Sequence, residues 1–258
     1  MVKEFDACWA LILGGSSGLG LASARKLAEH GMNICVVHRN TRAALPAIEE
    51  AMEDIRALGV EVLSCNVDVL QPEKRTEVLT QLQTAMGTTG RVRCLLHSIA
   101  RGNLKPMPDL QGDDVNTTMQ YMAVSLYEWA AAVLQRQLFT ADARILSFTS
   151  DGSYRAVPNY AAVSAAKAAL EAITRSMALE FARYGVRANC IRAGITDTAS
   201  LQRIPGSDAL LAYGKAHNPF QRLTTPADVA NVVYLLCKNE AAWINGAIIP
   251  VDGGMHIH

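Results

Sequence analysis

Seven short, largely apolar runs along this chain read as strands, several of them apolar on both faces. They are "ACWALILGG", "NICVVHR", "VEVLSCNVDV", "RVRCLLHSIA", "ARILSFTS", "VRANCIRAG" and "GAIIPVDGG". A strand with one wet face alternates apolar and polar residues, whereas a run apolar throughout belongs to a strand covered on both sides. Longer amphipathic stretches separate these runs. "LGLASARKLAEHG" predicts a helix ending at Gly31, and "TRAALPAIEEAMEDIRALG" predicts one ending at Gly59. "PEKRTEVLTQLQTAMG" has Pro72 near its first turn, and "VNTTMQYMAVSLYEWAAAVLQRQL" reads as one long helix. A further helix begins near Tyr160, a polar irregular stretch follows the sixth strand, and "PADVANVVYLLCK" is the last helix. Strands alternating with helices predict one doubly wound α/β domain over residues 1–258, its parallel sheet covered by helices on both faces. No repeat, low-complexity tract or linker divides it.

Composition narrows the partners. Half of the 258 residues are apolar, enough for one well-filled core. The formal net charge is zero, so the overall field gives no reason to expect nucleic acid or an anionic membrane as partner. No apolar run is long enough to span a bilayer, so no membrane insertion is expected. "MVKEFDACWALILGG" lacks a signal-peptide layout, because its apolar run leads straight into a glycine loop. Six cysteines are scattered singly, without a CxxC or a metal-like His/Cys cluster. They read as small core residues, no metal site is expected, and a reducing, cytoplasmic compartment fits.

The first strand runs into "LILGGSSGLGLASA", which sets Gly14, Gly18 and Gly20 between a strand and a helix. Glycine there allows a tight turn and lets backbone approach a pyrophosphate, with the helix N-terminus supplying N–H groups and positive dipole. Gly14, Ser16, Ser17, Gly18 and Leu19 are therefore the dinucleotide-binding candidates of this turn, a plain tight turn being the alternative. The second strand ends "VVHRNTR", with no carboxylate between Val36 and Arg42. An acidic residue there would bond the ribose hydroxyls of NAD, whereas a basic one accommodates the 2′-phosphate of NADP. Arg39 is the expected phosphate partner, helped by His38 or Arg42. NADPH is the expected cofactor, and NADH stays open because one arginine carries the distinction. After the third strand, Asp68 and Val69 sit where an Asp-Val pair would meet the adenine; Asp68 reads equally as a loop or N-cap residue.

"VPNYAAVSAAK" carries the chemistry. Tyr160 precedes Lys167 by seven residues, and Val163 stands where a Tyr-x-x-x-Lys pair would place its tyrosine. Seven residues are close to two helical turns, so Tyr160 and Lys167 share a face, roughly 10.5 Å apart along the axis against roughly 6 Å for a spacing of four. Pro158 and Asn159 place Tyr160 at the helix N-terminus.

Together, the glycine turn, Asp68-Val69, the Tyr/Lys helix, "RANCIRAG" and the terminal "VDGG" resemble the short-chain dehydrogenase/reductase family over essentially the whole chain. The details resemble its enoyl-acyl-carrier-protein reductases. These have Tyr-x6-Lys spacing, and two other features depart from the carbonyl-reducing pattern in the same direction. The fourth strand ends "HSIA" (His97 to Ala100) in place of Asn-Asn-Ala-Gly, and "RAGITDT" has Ala193-Gly194 in place of Pro-Gly. Leu13, where a threonine is common, is a smaller departure. The asparagine of the preceding helix has no counterpart, with Met122 or Ser125 in its place.

The resemblance implies a Rossmann-type fold and a set of roles. Lys167 would bond the nicotinamide ribose, and Tyr160 would donate to the thioester oxygen of an enoyl substrate as an enolate forms. Ser150 lies where the commoner reductases keep a catalytic serine, and Tyr154 is a candidate second active-site tyrosine. Ser98 would line the cofactor pocket through its backbone, beside a strand-end His97 with its polar atoms satisfied. Thr196 and Thr198 would meet the nicotinamide carboxamide and pyrophosphate. The segment 196–226 would form a lid over the substrate. The implied activity is reduction of the C=C bond of a trans-2-enoyl thioester carried on acyl carrier protein or CoA, in fatty acid synthesis. Arg101, Lys105, Arg203 and Lys215 would form a basic docking surface for an acidic carrier. A symmetric homotetramer is implied as well. Two other readings stand beside this one: a carbonyl reductase acting on a 3-oxoacyl thioester or hydroxysteroid, and a non-catalytic dinucleotide-binding protein.

Overall fold

The computed structural model describes residues 4–257; the first three residues and the last of the expected 1–258 domain lie outside the described residues. Seven strands form one sheet: β1 (Cys8–Leu13), β2 (Asn33–His38), β3 (Val62–Asn66), β4 (Arg91–His97), β5 (Phe139–Thr149), β6 (Val186–Ala193) and β7 (Ile248–Val251). Their order is β3-β2-β1-β4-β5-β6-β7, and every neighbouring pair is parallel. The order reverses between β1 and β4, so a crevice opens there at the carboxyl ends of the strands.

The doubly apolar runs are explained by two cores. Along β1, Trp9, Leu11 and Leu13 pack into one core while Ala10 and Ile12 pack into the other. The first core receives α3 (Pro72–Met86), α5 (Ser125–Gln135) and α6 (Ala161–Glu180), through Leu79, Leu82, Trp129 and Leu170. The second receives α1 (Gly18–Glu29), α2 (Leu45–Arg56) and α8 (Pro226–Cys237), through Leu27, Met52 and Val233. Each such side chain contributes about 1.5–3 kcal/mol when fully buried. The six cysteines are free thiols, five of them buried.

Two elements differ from the sequence expectation. The long helix is broken into α4 (Gly112–Met119) and α5, joined by a π-helical segment, Gln120–Val124. The polar irregular stretch contains a helix, α7 (Ser207–His217). Its one buried residue is Gly214, where a Cβ would stand 3.0 Å from the Ile195 side chain. This helix docks through a missing side chain rather than an apolar stripe, so periodicity gives no sign of it.

At the opposite end of the sheet, Asp142 gathers three guanidinium groups. Arg93, Arg144 and Arg187 approach its carboxylate at 2.8, 2.6 and 2.7 Å. Arg93 and Arg144 also donate to the carbonyls of Cys237 (2.7 Å) and Leu236 (2.8 Å), capping the last turn of α8.

Candidate active site

The glycine turn is shaped by backbone contact. Gly14 has φ 89°, and a Cβ there would lie 2.5 Å from the carbonyl oxygen of Ser98. At Gly20 a Cβ would collide with the Gly14 carbonyl. These contacts draw the β1 turn, the start of α1 and the end of β4 together. Ser17 is the N-cap of α1 in extended conformation and its side chain makes no capping bond, which leaves first-turn N–H groups open for an anion. Gly14, Ser17, Gly18, Leu19, Ser98 and Thr198 line one groove with Lys167. Such a cradle fits the pyrophosphate of a dinucleotide.

Farther along, Ser16 Oγ donates to Asn40 Oδ1 at 3.0 Å. His38 does not act as an expected helper of Arg39. It is buried, its ring nitrogens lie 3.0 Å from Asn40 Oδ1 and 3.1 Å from Ser64 Oγ, and burial lowers its pKa. A neutral imidazole satisfied inside the fold offers no charge to a phosphate. Arg42 is exposed and lines an open hollow with Ser64 and Asn66. Arg39 is half-exposed and pairs with Asp68 at 2.9 Å. Asp68 Oδ1 accepts the Leu70 N–H at 3.1 Å, so this carboxylate is engaged within the protein on both oxygens. Val69 is buried, and its carbonyl accepts the Trp129 indole N–H at 2.9 Å.

Lys167 is 7% exposed and donates to the carbonyl of Phe148 at 2.5 Å. Burial lowers its pKa to about 8, against a smaller upward pull from Cys190 and Glu171. Asn159 takes φ 63°, a left-handed conformation that asparagine tolerates, and turns the chain into Tyr160, the N-cap of α6. Gly152 leaves room for the Tyr160 ring, since a Cβ there would lie 2.5 Å from its Cε1. Burial raises the Tyr160 pKa, so the hydroxyl keeps its proton at neutral pH.

Tyr160 and Lys167 line a common cavity of about 250 Å³ with Ser150, Val163, Thr196 and Thr198. A second cavity of about 280 Å³ adjoins the first at Tyr160, walled by Ala156, Val157, Ile195, Leu210, Tyr213 and Met255 among others. Tyr160 and Ser150 face both. Ser150 Oγ is buried and meets hydrogen-bond geometry with no group among the described residues, although it lies close enough to Tyr160 to temper that hydroxyl's shift. Val163 is 3% exposed, so a buried isopropyl group fills the Tyr-x-x-x-Lys position. Tyr154 is not brought to either cavity. Its ring is half-exposed beneath the Arg192 guanidinium (5.0 Å), and its hydroxyl donates to Asp151 at 3.1 Å.

Thr196 Oγ1 donates to the Gly194 carbonyl at 2.9 Å, and Thr198 Oγ1 accepts the Leu201 N–H at 3.2 Å. His97 is fully buried and not satisfied as expected. Its Nε2 lies 2.9 Å from Ser125 Oγ, while Nδ1 has no partner among the described residues. Burial, with Lys167 nearby, lowers its pKa to about 3, so the ring is neutral. Ser125 in turn donates to the Tyr121 carbonyl at 2.8 Å. The role of Tyr121 escaped the sequence reading, because its partners lie 82 and 53 residues away. Of the basic candidates, Arg101 and Arg203 line the first cavity, Lys105 is paired with Asp114 at 2.7 Å, and Lys215 lies on α7 away from both cavities.

Among the described residues, no helix is long and apolar enough to cross a membrane. A family model described as Enoyl-(Acyl carrier protein) reductase matches residues 14–256. The peroxisomal 2,4-dienoyl-CoA reductase [(3E)-enoyl-CoA-producing] of Mus musculus is 28% identical over 246 residues, 95% of this chain and 82% of that protein. An enoyl-[acyl-carrier-protein] reductase (NADH) from Aquifex aeolicus superposes with a TM-score of 0.85 at 25% identity, covering 98% of each chain. A short chain dehydrogenase from Bacillus anthracis does so with a TM-score of 0.80 at 25% identity, again over 98% of each chain. With its glycine cradle, its buried lysine and this match across the domain, the chain belongs to the short-chain dehydrogenase/reductase family and is a nicotinamide-dinucleotide-dependent oxidoreductase.

Proposed function

We propose that this protein uses NADPH to reduce the C=C bond of a trans-2-enoyl thioester carried on acyl carrier protein or CoA, as fatty acid synthesis requires. One observation carries the reading. The tyrosine on the lysine's cavity is Tyr160, at the start of α6, while the position one turn nearer Lys167 holds buried Val163. Reduction of a ketone needs a proton donor at the oxygen on the very carbon that accepts hydride. In an enoyl thioester the hydride goes to Cβ and negative charge develops on the thioester oxygen, farther along the substrate. A hydroxyl set back along the helix suits that second oxygen.

The bound dinucleotide supplies the hydride. Lys167, held by the Phe148 carbonyl through one N–H, has two further donors for the ribose hydroxyls and adds positive potential. Tyr160 donates to the thioester oxygen and stabilises the enolate as it forms. Solvent then protonates Cα. The apolar second cavity suits an acyl chain, and Arg101 with Arg203 suits an anionic carrier at the mouth. Half-exposed Arg39, with no carboxylate between Val36 and Arg42 at the end of β2, supports NADPH.

The similarity to a 2,4-dienoyl-CoA reductase favours a second reading, in which the conjugated substrate carries two double bonds. Initial rates of NADPH oxidation with crotonyl-, 2,4-hexadienoyl- and acetoacetyl-CoA separate the possibilities. The proposal expects crotonyl-CoA to be the best of the three. A preference for the dienoyl thioester selects the second reading, and a preference for acetoacetyl-CoA overturns both in favour of carbonyl reduction. Cofactor binding without turnover would mean a non-catalytic protein.

A further inference from the structure

We propose that Tyr121 is a positioning residue for cofactor choice: with Asp68 it fixes the guanidinium of Arg39 so that the remaining N–H donors meet the 2′-phosphate of NADPH. The inference rests on the NADPH reading above and adds the residue that makes Arg39 selective.

Three side chains close a triangle. Arg39 Nη1 donates to Tyr121 Oη at 3.1 Å and pairs with Asp68 Oδ2 at 2.9 Å. Tyr121 Oη donates to the same Asp68 oxygen at 2.7 Å. The hydroxyl is thus an acceptor for the cation and a donor to the anion, which orders both. Only Nη1 of the guanidinium is used among the described contacts, and the side chain is 52% exposed. Nη2 and Nε remain to present a planar fork to a phosphate.

Tyr121 can hold this position because it is itself held. It is 7% exposed, its ring lies under the Arg101 guanidinium at 4.3 Å, and its carbonyl accepts the Ser125 hydroxyl at 2.8 Å. It sits in the π-helical segment between α4 and α5, a local departure of the kind often found at functional sites. An unanchored arginine after a strand would sample many rotamers and lose that freedom on binding. The triangle removes the cost beforehand. It also occupies Asp68, the nearest carboxylate, whose oxygens already accept from Leu70, Arg39 and Tyr121. A ribose 2′-hydroxyl of NADH then finds no free carboxylate there.

Equilibrium dissociation constants for NADPH and NADH, read by nucleotide fluorescence without any thioester, test this in four proteins: wild type, Tyr121→Phe, Arg39→Ala and the double variant. Phenylalanine keeps the ring beneath Arg101. The expected result is NADPH binding weakened roughly 3- to 10-fold in Tyr121→Phe, as for loss of one hydrogen bond, with NADH binding changed less than about twofold. In the Arg39→Ala background, Tyr121→Phe should add nothing. Equal weakening of both nucleotides, or an effect that persists without Arg39, overturns the proposal. A wild-type preference for NADPH that is undiminished in Tyr121→Phe overturns the proposal alone. A wild type without that preference overturns the cofactor reading and the proposal together.

Discussion

Lys167 carries its charge where the fold opposes it. Its ammonium is buried against a carbonyl, and its pKa of about 8 lies below the ordinary 10.5. Between those values the folded chain binds fewer protons than the unfolded chain, so the lysine's contribution to stability improves as pH rises across the window. Below it, the buried cation costs up to about 3 kcal/mol. Lys167→Met should therefore raise the thermal midpoint of the cofactor-free protein at pH 7, and the gap to wild type should narrow by pH 9.5; a lowered midpoint at pH 7 would contradict this. Under the proposed function, the same titration predicts that kcat/KM for NADPH falls as pH rises through about 8, because the cation proposed to hold the ribose is lost. Burial raises the Tyr160 pKa, so its test is removal. Tyr160→Phe should lower kcat with crotonyl-CoA about 10²- to 10³-fold, as for loss of an oxyanion donor, and leave NADPH affinity unchanged. The shared face of Tyr160 and Lys167 was legible in the sequence, since both lie on one short segment. The Arg39–Asp68, His38–Ser64 and His97–Ser125 contacts were not, because each joins residues brought together only by the sheet and its crossovers.

The central strands and most helices could be read because burial on both faces leaves an unbroken apolar run, as in β1, whereas the edge strands β3 and β7 are only partly buried; helices α1 and α8 carry apolar stripes. The interruption at Gln120–Val124 could not. Apolar residues continue through it, with Tyr121, Met122, Ala123 and Leu126 all buried, so composition does not register the altered turn. Helix α7 was hidden for the opposite reason, its contact being made by Gly214 against Ile195. The join between α8 and the sheet depends on charge. Burial pushes the Asp142 carboxyl up, but Arg144 and Arg93 bring it below its usual value on balance. Asp142→Asn would leave the buried Arg93 and Arg144 without their counter-charge at the last turn of α8. It should destabilise the protein by about 3 kcal/mol, measured by urea denaturation, with the Kd for NADPH unchanged because the cluster lies at the far end of the strands.

At the scale of the whole molecule, the parallel order places the glycine turn after β1 beside the end of β4, and α6 carries Tyr160 and Lys167 to the same crevice. The architecture followed from alternating doubly apolar strands and helices. The proposed C=C specificity rests on something smaller, the seven-residue spacing of a tyrosine and a lysine around a buried valine. NADPH carrying deuterium in the transferred position at C4, offered with crotonyl-CoA, tests that claim directly. Mass spectrometry of the product should find saturated butyryl-CoA with deuterium at Cβ. No butyryl-CoA, together with deuterium on the carbinol carbon of 3-hydroxybutyryl-CoA when acetoacetyl-CoA is supplied instead, would contradict it.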